Sequence, residues 1–290
     1  MSSIMKIRVS PVSSELVQSV RNVAQRTDRP VTALFLQALI QLPRIANEEG
    51  LVDASILNPF LEELAKEIPA KVEWSVADVV MKSPRALKFQ QIGDDESRRV
   101  MKRFHYLHSA RIDGRAYGLR TECGRLVALC VSSPLDIDRL HNLLKTKRAA
   151  SKRARVLSRV FVFEGAPVNS ISYLLSRAAQ SERRLGASDW MTYVNPNMGF
   201  TGVSYLASGW YLLGDEPGTT YRYVDNRYIT DRELANRFGS RDDESYAQLL
   251  GNRFAKSVMP LAPLLVFARH FVSVSKIKES PEHRELFEGA

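Results

Sequence analysis

Between Ala116 and Val194 the hydrophobic period is that of strands interrupted once by a helix, and this order restricts the fold more than any other feature. Ala116–Arg120 and Leu126–Val131 flank a polar turn through Glu122–Arg125, the pattern of a hairpin. Val156–Phe163 reads as a third strand, Pro167–Arg184 as a helix and Trp190–Val194 as a further strand rich in bulky side chains. Asn195-Pro196-Asn197 then enforces a turn, because proline fixes φ and asparagine tolerates tight backbone. Thr201–Tyr211 is predicted helical, with Val203, Leu206, Ala207 and Trp210 at helical spacing and Gly214 placed to end it. Tyr221–Val224 and Arg227–Ile229 form a second hairpin signal around Asp225-Asn226, and Leu264–Ala268 is a late strand. The expected fold is α/β of the α+β kind: a mixed, mainly antiparallel sheet flanked by helices.

The first hundred residues read differently. Residues 5–10 alternate as a short strand with Lys6, Arg8 and Ser10 on one face. Ser13-Ser14 caps a helix running to Thr27, and a second helix follows Pro30 with Leu34, Phe35, Ala38, Leu39 and Leu42 inward. Strand–helix–helix over residues 5–45 resembles a ribbon-helix-helix DNA-binding unit, which works as a dimer with its ribbon in the major groove. A helical pair packed on the main domain is the other reading. Residues 51–98 read as largely helical, divided by Pro59, Pro69 and Pro84. Asp94, Asp95 and Glu96 ahead of Arg98, Arg99, Lys102 and Arg103 suit a helix aligned with its dipole. These patterns divide the chain into a mostly helical accessory region over 1–95, a core over 96–275 and a tail over 276–290.

At 290 residues and 44% hydrophobic content the chain has material for a real core. Two cysteines, Cys123 and Cys130, give neither a disulfide framework nor a zinc site. Absence of a signal peptide or membrane-length apolar run leads us to expect a soluble, cytoplasmic protein. Lysine and arginine number 41 against 32 acids, a net charge of +9, which favours a polyanionic partner. The surplus is concentrated in Lys145, Lys147, Arg148, Lys152, Arg153, Arg155 and Arg159, with no acid between them. Lys152, Arg153 and Arg155 are therefore candidate contacts to the phosphates of double-stranded DNA.

Residues 193–214 carry a more specific pattern. Tyr193, Gly199, Gly202, Tyr205, the run Ala207-Ser208-Gly209-Trp210 and Gly214 fit a segment of the phage Mom DNA-modification family, which the chain resembles over roughly residues 103–272. That family is a divergent branch of the GNAT acyltransferase superfamily. Asn195 stands where it usually has aspartate, and Phe200 where it has histidine. Leu157-Ser158-Arg159 resembles its Leu-Ser-Arg strand, and Pro167-Val168-Asn169-Ser170-Ile171-Ser172 its turn into a helix. Arg103-Phe104-His105-Tyr106-Leu107-His108-Ser109 is similar to its histidine–tyrosine motif.

The resemblance implies a GNAT-like core, an acetyl-CoA or related acyl donor, and transfer of a carbamoylmethyl (acetamido) group to the exocyclic amine of adenine in DNA. It also implies a phage or prophage protein in a bacterial host. On that reading Tyr205, His105, Tyr106 and Asn195 are catalytic candidates, and Arg159, Asn169, Ser170 and Ser172 hold the donor. Tyr193 and His108 face the base, which must leave the stack to react. GNAT enzymes carry a glycine-rich turn that holds the coenzyme A pyrophosphate on a helix N-terminus, and that signature is absent here. His105 and His108, at i and i+3, suit proton transfer; no further ligand cluster supports iron or another metal. Two rival functions stand beside this one: an acyl-CoA-dependent N-acyltransferase for a small amine or protein, and a non-enzymatic DNA-binding protein on a degenerate GNAT core.

Overall fold

The protein is described by a computed structural model covering residues 5–76, 83–111, 113–135, 153–218, 220–239 and 242–271. Its centre is a seven-stranded sheet in the order β3-β4-β5-β6-β7-β12-β8. The strands are β3 (Lys88–Ile92), β4 (Arg115–Arg120), β5 (Leu126–Pro134), β6 (Arg155–Val162), β7 (Asp189–Val194), β8 (Tyr211–Glu216) and β12 (Leu264–His270). All neighbours are antiparallel except β6 and β7. These two are joined by the helix α6 (Ser170–Arg184), the long crossover that a parallel pair requires. The architecture is thus a mixed, mainly antiparallel sheet flanked by helices.

The hairpin β4–β5 forms where the alternation placed it, and β5 is buried along nearly its whole length. Its inner residues, with Leu174, Leu175 and Ala178 of α6 and Trp190 of β7, make the main core. One polar cluster is enclosed with it. Glu182 of α6, with no exposed surface, accepts from Arg115 Nε at 3.0 Å and Tyr117 Oη at 2.9 Å, and Arg155 Nε lies 3.6 Å away.

The N-terminal elements are β1 (Lys6–Arg8), α1 (Ser14–Thr27), α2 (Val31–Gln41), β2 (Leu51–Asp53), α3 (Ala54–Glu67), a single turn α4 (Lys71–Trp74) and α5 (Asp94–Arg103). Ser13 caps α1 through the Leu16 amide, as its sequence position indicated. The strand offered above to a dimeric ribbon pairs instead within the chain: Lys6, Ile7 and Arg8 lie opposite Asp53, Val52 and Leu51. Helices α1–α3 enclose a second core that also takes in Met198, Tyr221 and Tyr223, and the Tyr223 hydroxyl donates to the Ile40 carbonyl at 2.5 Å. Tyr223 belongs to β9 (Arg222–Val224), which pairs with β10 (Arg227–Ile229) and β11 (Phe254–Lys256). Asp225 and Asn226, both with positive φ, turn the β9–β10 hairpin. Helices α8 (Asp231–Phe238) and α9 (Asp243–Leu250) follow.

Three local expectations are corrected. Lys88–Ile92, read as part of a helical stretch, is the edge strand β3; its exposed lysine and glutamines give little apolar alternation to detect. Pro59 does not divide a helix but lies inside α3. The helix expected over Thr201–Tyr211 is one turn, α7 (Val203–Leu206), because Gly202 and Gly209 both have positive φ and bracket it. Tyr211 onward is β8, and Gly214 lies within that strand, where its pairing with Val266 precedes a bulge.

Gly202 has no room for a side chain: an added Cβ would sit 2.3 Å from Phe267 Cζ, and Phe267 is buried between strands. With φ at +79° as well, Gly202→Ala is expected to cost about 2 kcal/mol or more, read as a lower urea midpoint at unchanged slope.

Candidate functional site

The site follows from the way β6 and β7 part. They pair only at Arg155 with Trp190 and Val156 with Met191. The next carbonyl on β6, that of Leu157, is taken by the side chain of Thr192, whose Oγ1 donates to it at 3.0 Å. Beyond this stitch the strands diverge, and a cavity of about 300 Å³ opens between them, lined by Ser158, Arg159, Thr192, Tyr193, Phe200, His105, Tyr106 and Tyr205. A second cavity of about 400 Å³ shares Tyr106, Leu157, Ser158, Arg159 and Tyr193 with the first. It continues past Asn195, Tyr221, Tyr228 and Arg111 to Ile40 of α2. A third, of about 250 Å³, lies at the start of α6 against Gly165, Pro167, Asn169, Ser170, Ser172 and Ser204.

Tyr205 comes from the one-turn helix α7 and stands edge-on to Trp210. Burial pushes its phenol up to about 12, against a smaller opposing effect of its hydrogen bond with Thr192. The hydroxyl is therefore fully protonated at neutral pH.

His105 follows α5 and is buried, stacked on Tyr106 at 4.4 Å between ring centres. Burial first, then Arg159 and His108, hold its imidazole well below the ordinary value of 6.5. Its Nδ1 accepts from the Leu107 amide at 3.2 Å, so in the neutral ring the proton is on Nε2. His105 thus offers the cavity an N–H rather than a vacant lone pair, which makes it a hydrogen-bond donor and not a ready general base. The neutral burial also has a pH signature. Above about pH 6.5 the folded and unfolded rings are both neutral; below it the unfolded ring takes a proton that the folded one refuses. Stability should fall as the pH drops from about 6.5 toward the lower folded-state value, and His105→Gln should flatten that part of a plot of unfolding temperature against pH.

The other predicted residues divide by position. His108, with φ of +46°, donates from Nδ1 to the Lys102 carbonyl at 3.1 Å, which leaves Nε2 to accept from Gln37 at 2.8 Å. Gln37 also donates to the Tyr106 carbonyl, so His108 fixes the histidine–tyrosine loop to α2. Asn195 caps the turn after β7 through the Asn197 amide and donates to Tyr221 Oη at 3.0 Å. Tyr106 is raised above its usual value by burial. Ser170 is buried and donates to the Pro167 carbonyl at 2.7 Å, while Asn169 is the left-handed residue before α6 and makes no side-chain cap. Lys145, Lys147, Arg148 and Lys152 lie outside the described residues. Arg153 is exposed, whereas Arg155 turns inward to the Ser132 carbonyl at 2.6 Å and to Glu182.

Arg111, Thr192, Tyr221 and Tyr228 line the cavities without having been singled out in the sequence. The tyrosines were visible only as strand residues of a hairpin, and Arg111 lies in a loop with no pattern around it. Among the described residues no group of three or more His, Cys, Asp or Glu side chains converges to hold a metal, and no helix is long and apolar enough to cross a membrane.

No family profile matches the chain, and no curated protein matches it. Among solved structures 47 chains match. An IAA acetyltransferase from Bacillus cereus shows 10% identity and a TM-score of 0.36, covering 63% of this chain and 99% of its own. A Bacillus subtilis acetyltransferase in complex with CoA shows 12% identity and a TM-score of 0.34, covering 64% and 99%. A spermidine/spermine N-acetyltransferase from Vibrio cholerae shows 10% identity and a TM-score of 0.38, covering 68% and 98%. At this distance the assignment of chemistry rests on the cavities and the side chains that line them.

Proposed function

We propose that the chain is a transferase that moves a small acyl or acyl-like group from a donor of the coenzyme A kind to a weakly basic amine. The observation that carries this reading is the parting of β6 from β7 over a cavity faced by Tyr205. An extended amide-bearing arm can lie in such a gap, pairing with strand edges that no longer meet. The cleft at the start of α6 supports placement of the donor's phosphates there, where backbone N–H groups and the helix dipole converge. Bound in this way, coenzyme A would supply an acyl thioester. The residues that would hold it are Ser172 and the first-turn amides of α6; the Ser170 hydroxyl is committed to its own turn.

The protein's part in the reaction is then electrostatic and acidic. Tyr205, protonated at working pH, gives its proton to the thiolate that leaves as the C–N bond forms, and the proton lost by the amine nitrogen restores the phenol. The His105 Nε2–H stabilises negative charge developing on the acyl oxygen. Among the described residues that line these two cavities the one carboxylate is Asp231, and it is paired with Arg222. Such a site suits an amine that arrives uncharged, as an aromatic exocyclic amine does, better than an alkylammonium that must first lose a proton.

That preference supports a second, finer reading, in which the acceptor is the exocyclic amine of adenine in DNA and the group is of the carbamoylmethyl type, which bonds through its methylene and needs a donor with a leaving group on that carbon rather than a simple acyl thioester. The resemblance of the Tyr193–Gly214 and Leu157–Arg159 segments, the net charge of +9 and the tyrosine-lined cavity favour it. Two measurements separate the readings. Thiol release from acetyl-CoA, stimulated by aromatic amines and lost in Tyr205→Phe, tests the transferase. Mass analysis of nucleosides from DNA of expressing cells tests the base. Unmodified nucleosides with tight DNA binding and no thiol release would leave a non-catalytic DNA-binding protein.

A further inference from the structure

We infer that Arg159 and Arg111 form a receptor for an oxyanion carried by the acceptor, so that the substrate is an amine bearing a phosphate or carboxylate. The word acceptor rests on the transferase reading; the receptor itself rests on geometry. Arg159 is a half-buried residue of β6, in the wall common to the cavities of about 400 and 300 Å³. Its Nε donates to the Ser109 carbonyl at 3.3 Å, Nη1 to the Ser158 carbonyl at 2.6 Å and Nη2 to Ser109 Oγ at 2.8 Å. These three bonds fix the plane of the guanidinium and leave one N–H on each terminal nitrogen without a partner among the described residues. All its partners are neutral. The nearest influences on its charge are its own burial and the phenols of Tyr106 and Tyr228, with no carboxylate among them.

Arg111 lines the larger cavity with it. Its contact with Asp113 is long, 3.8 Å, and its Nε is buried with no hydrogen-bond partner among the described residues. A half-buried guanidinium without an acid, lining the same cavity as a second with an orphaned donor, costs free energy that an incoming oxyanion would recover. The remaining pair of N–H groups on Arg159 matches the two oxygens of a carboxylate or phosphate. Tyr106, Tyr193, Tyr221 and Tyr228 surround this point and offer aromatic surface to a flat ring attached to the anion. The same positive charge disfavours a polycationic amine.

The test is calorimetric binding to the full chain, without any thioester donor, so the result is independent of whether acyl transfer occurs. Two matched pairs serve as probes: dAMP against deoxyadenosine, and 4-aminobenzoate against aniline. We expect the anionic member of at least one pair to bind about tenfold more tightly, as charge-assisted hydrogen bonds provide. Preference within the first pair assigns phosphate, and within the second, carboxylate. Arg159→Gln and Arg111→Gln should each reduce the preference, with folding checked by circular dichroism; should Arg159→Gln fail to fold, Arg111→Gln decides. Equal affinities within both pairs, no binding by either anionic probe, or a preference unchanged in folded Arg111→Gln overturns the receptor.

Discussion

Tyr205→Phe is expected to lower acyl turnover by about 10²-fold or more while leaving the unfolding temperature in place. The substitution removes one oxygen from a ring otherwise held by Trp210 and Phe267, so packing is conserved. What is lost is a proton held on a phenol pushed up to about 12, together with the bond to Thr192. The diagnostic is the split between binding and turnover. Donor affinity should be nearly unchanged and kcat reduced, because a leaving-group proton matters only as the bond breaks. A variant with undiminished kcat would make Tyr205 a packing residue and move the acid elsewhere.

Glu182→Ala should have the largest effect on stability, about 3–5 kcal/mol, with no direct effect on binding in the cavities. The carboxylate joins α6 to Arg115 and Tyr117 of β4 and to Arg155 of β6. Truncation leaves two guanidinium groups and a phenol around a space from which water is largely excluded. The loss comes less from the bonds removed than from the positive charge left behind. Urea unfolding should show a midpoint shift at nearly constant slope. The double substitution Glu182→Ala with Arg115→Ala should recover part of the loss. Additive losses would show that the two side chains act independently.

The sheet was legible because its strands alternate or run apolar between clear turns. Leu126–Val131 and Trp190–Val194 show this, and Asp225-Asn226 marks its turn without ambiguity. Strands of weak patterning escaped: β3 is mostly polar, and β8 follows a segment whose apolar spacing fits a helix equally well. There, two glycine conformations decide the outcome, and conformation is not written in spacing. At the site, sequence resemblance pointed to His105, Tyr106, Arg159, Tyr193 and Tyr205, and the structure gathers these around one opening. The tautomer of His105 was not legible, since it depends on a backbone amide two residues away. Nor was the inward turn of Arg155, which is drawn by a glutamate on a helix that follows in the chain.

The larger cavity has Ile40 of α2 on one side and residues of β6 and β7 on the other. Ile40 is thus one lining residue written in a different part of the chain from the strand gap and Tyr205. On the transferase reading, a substitution at Ile40 can alter what this cavity admits without touching Tyr205 or the strand gap.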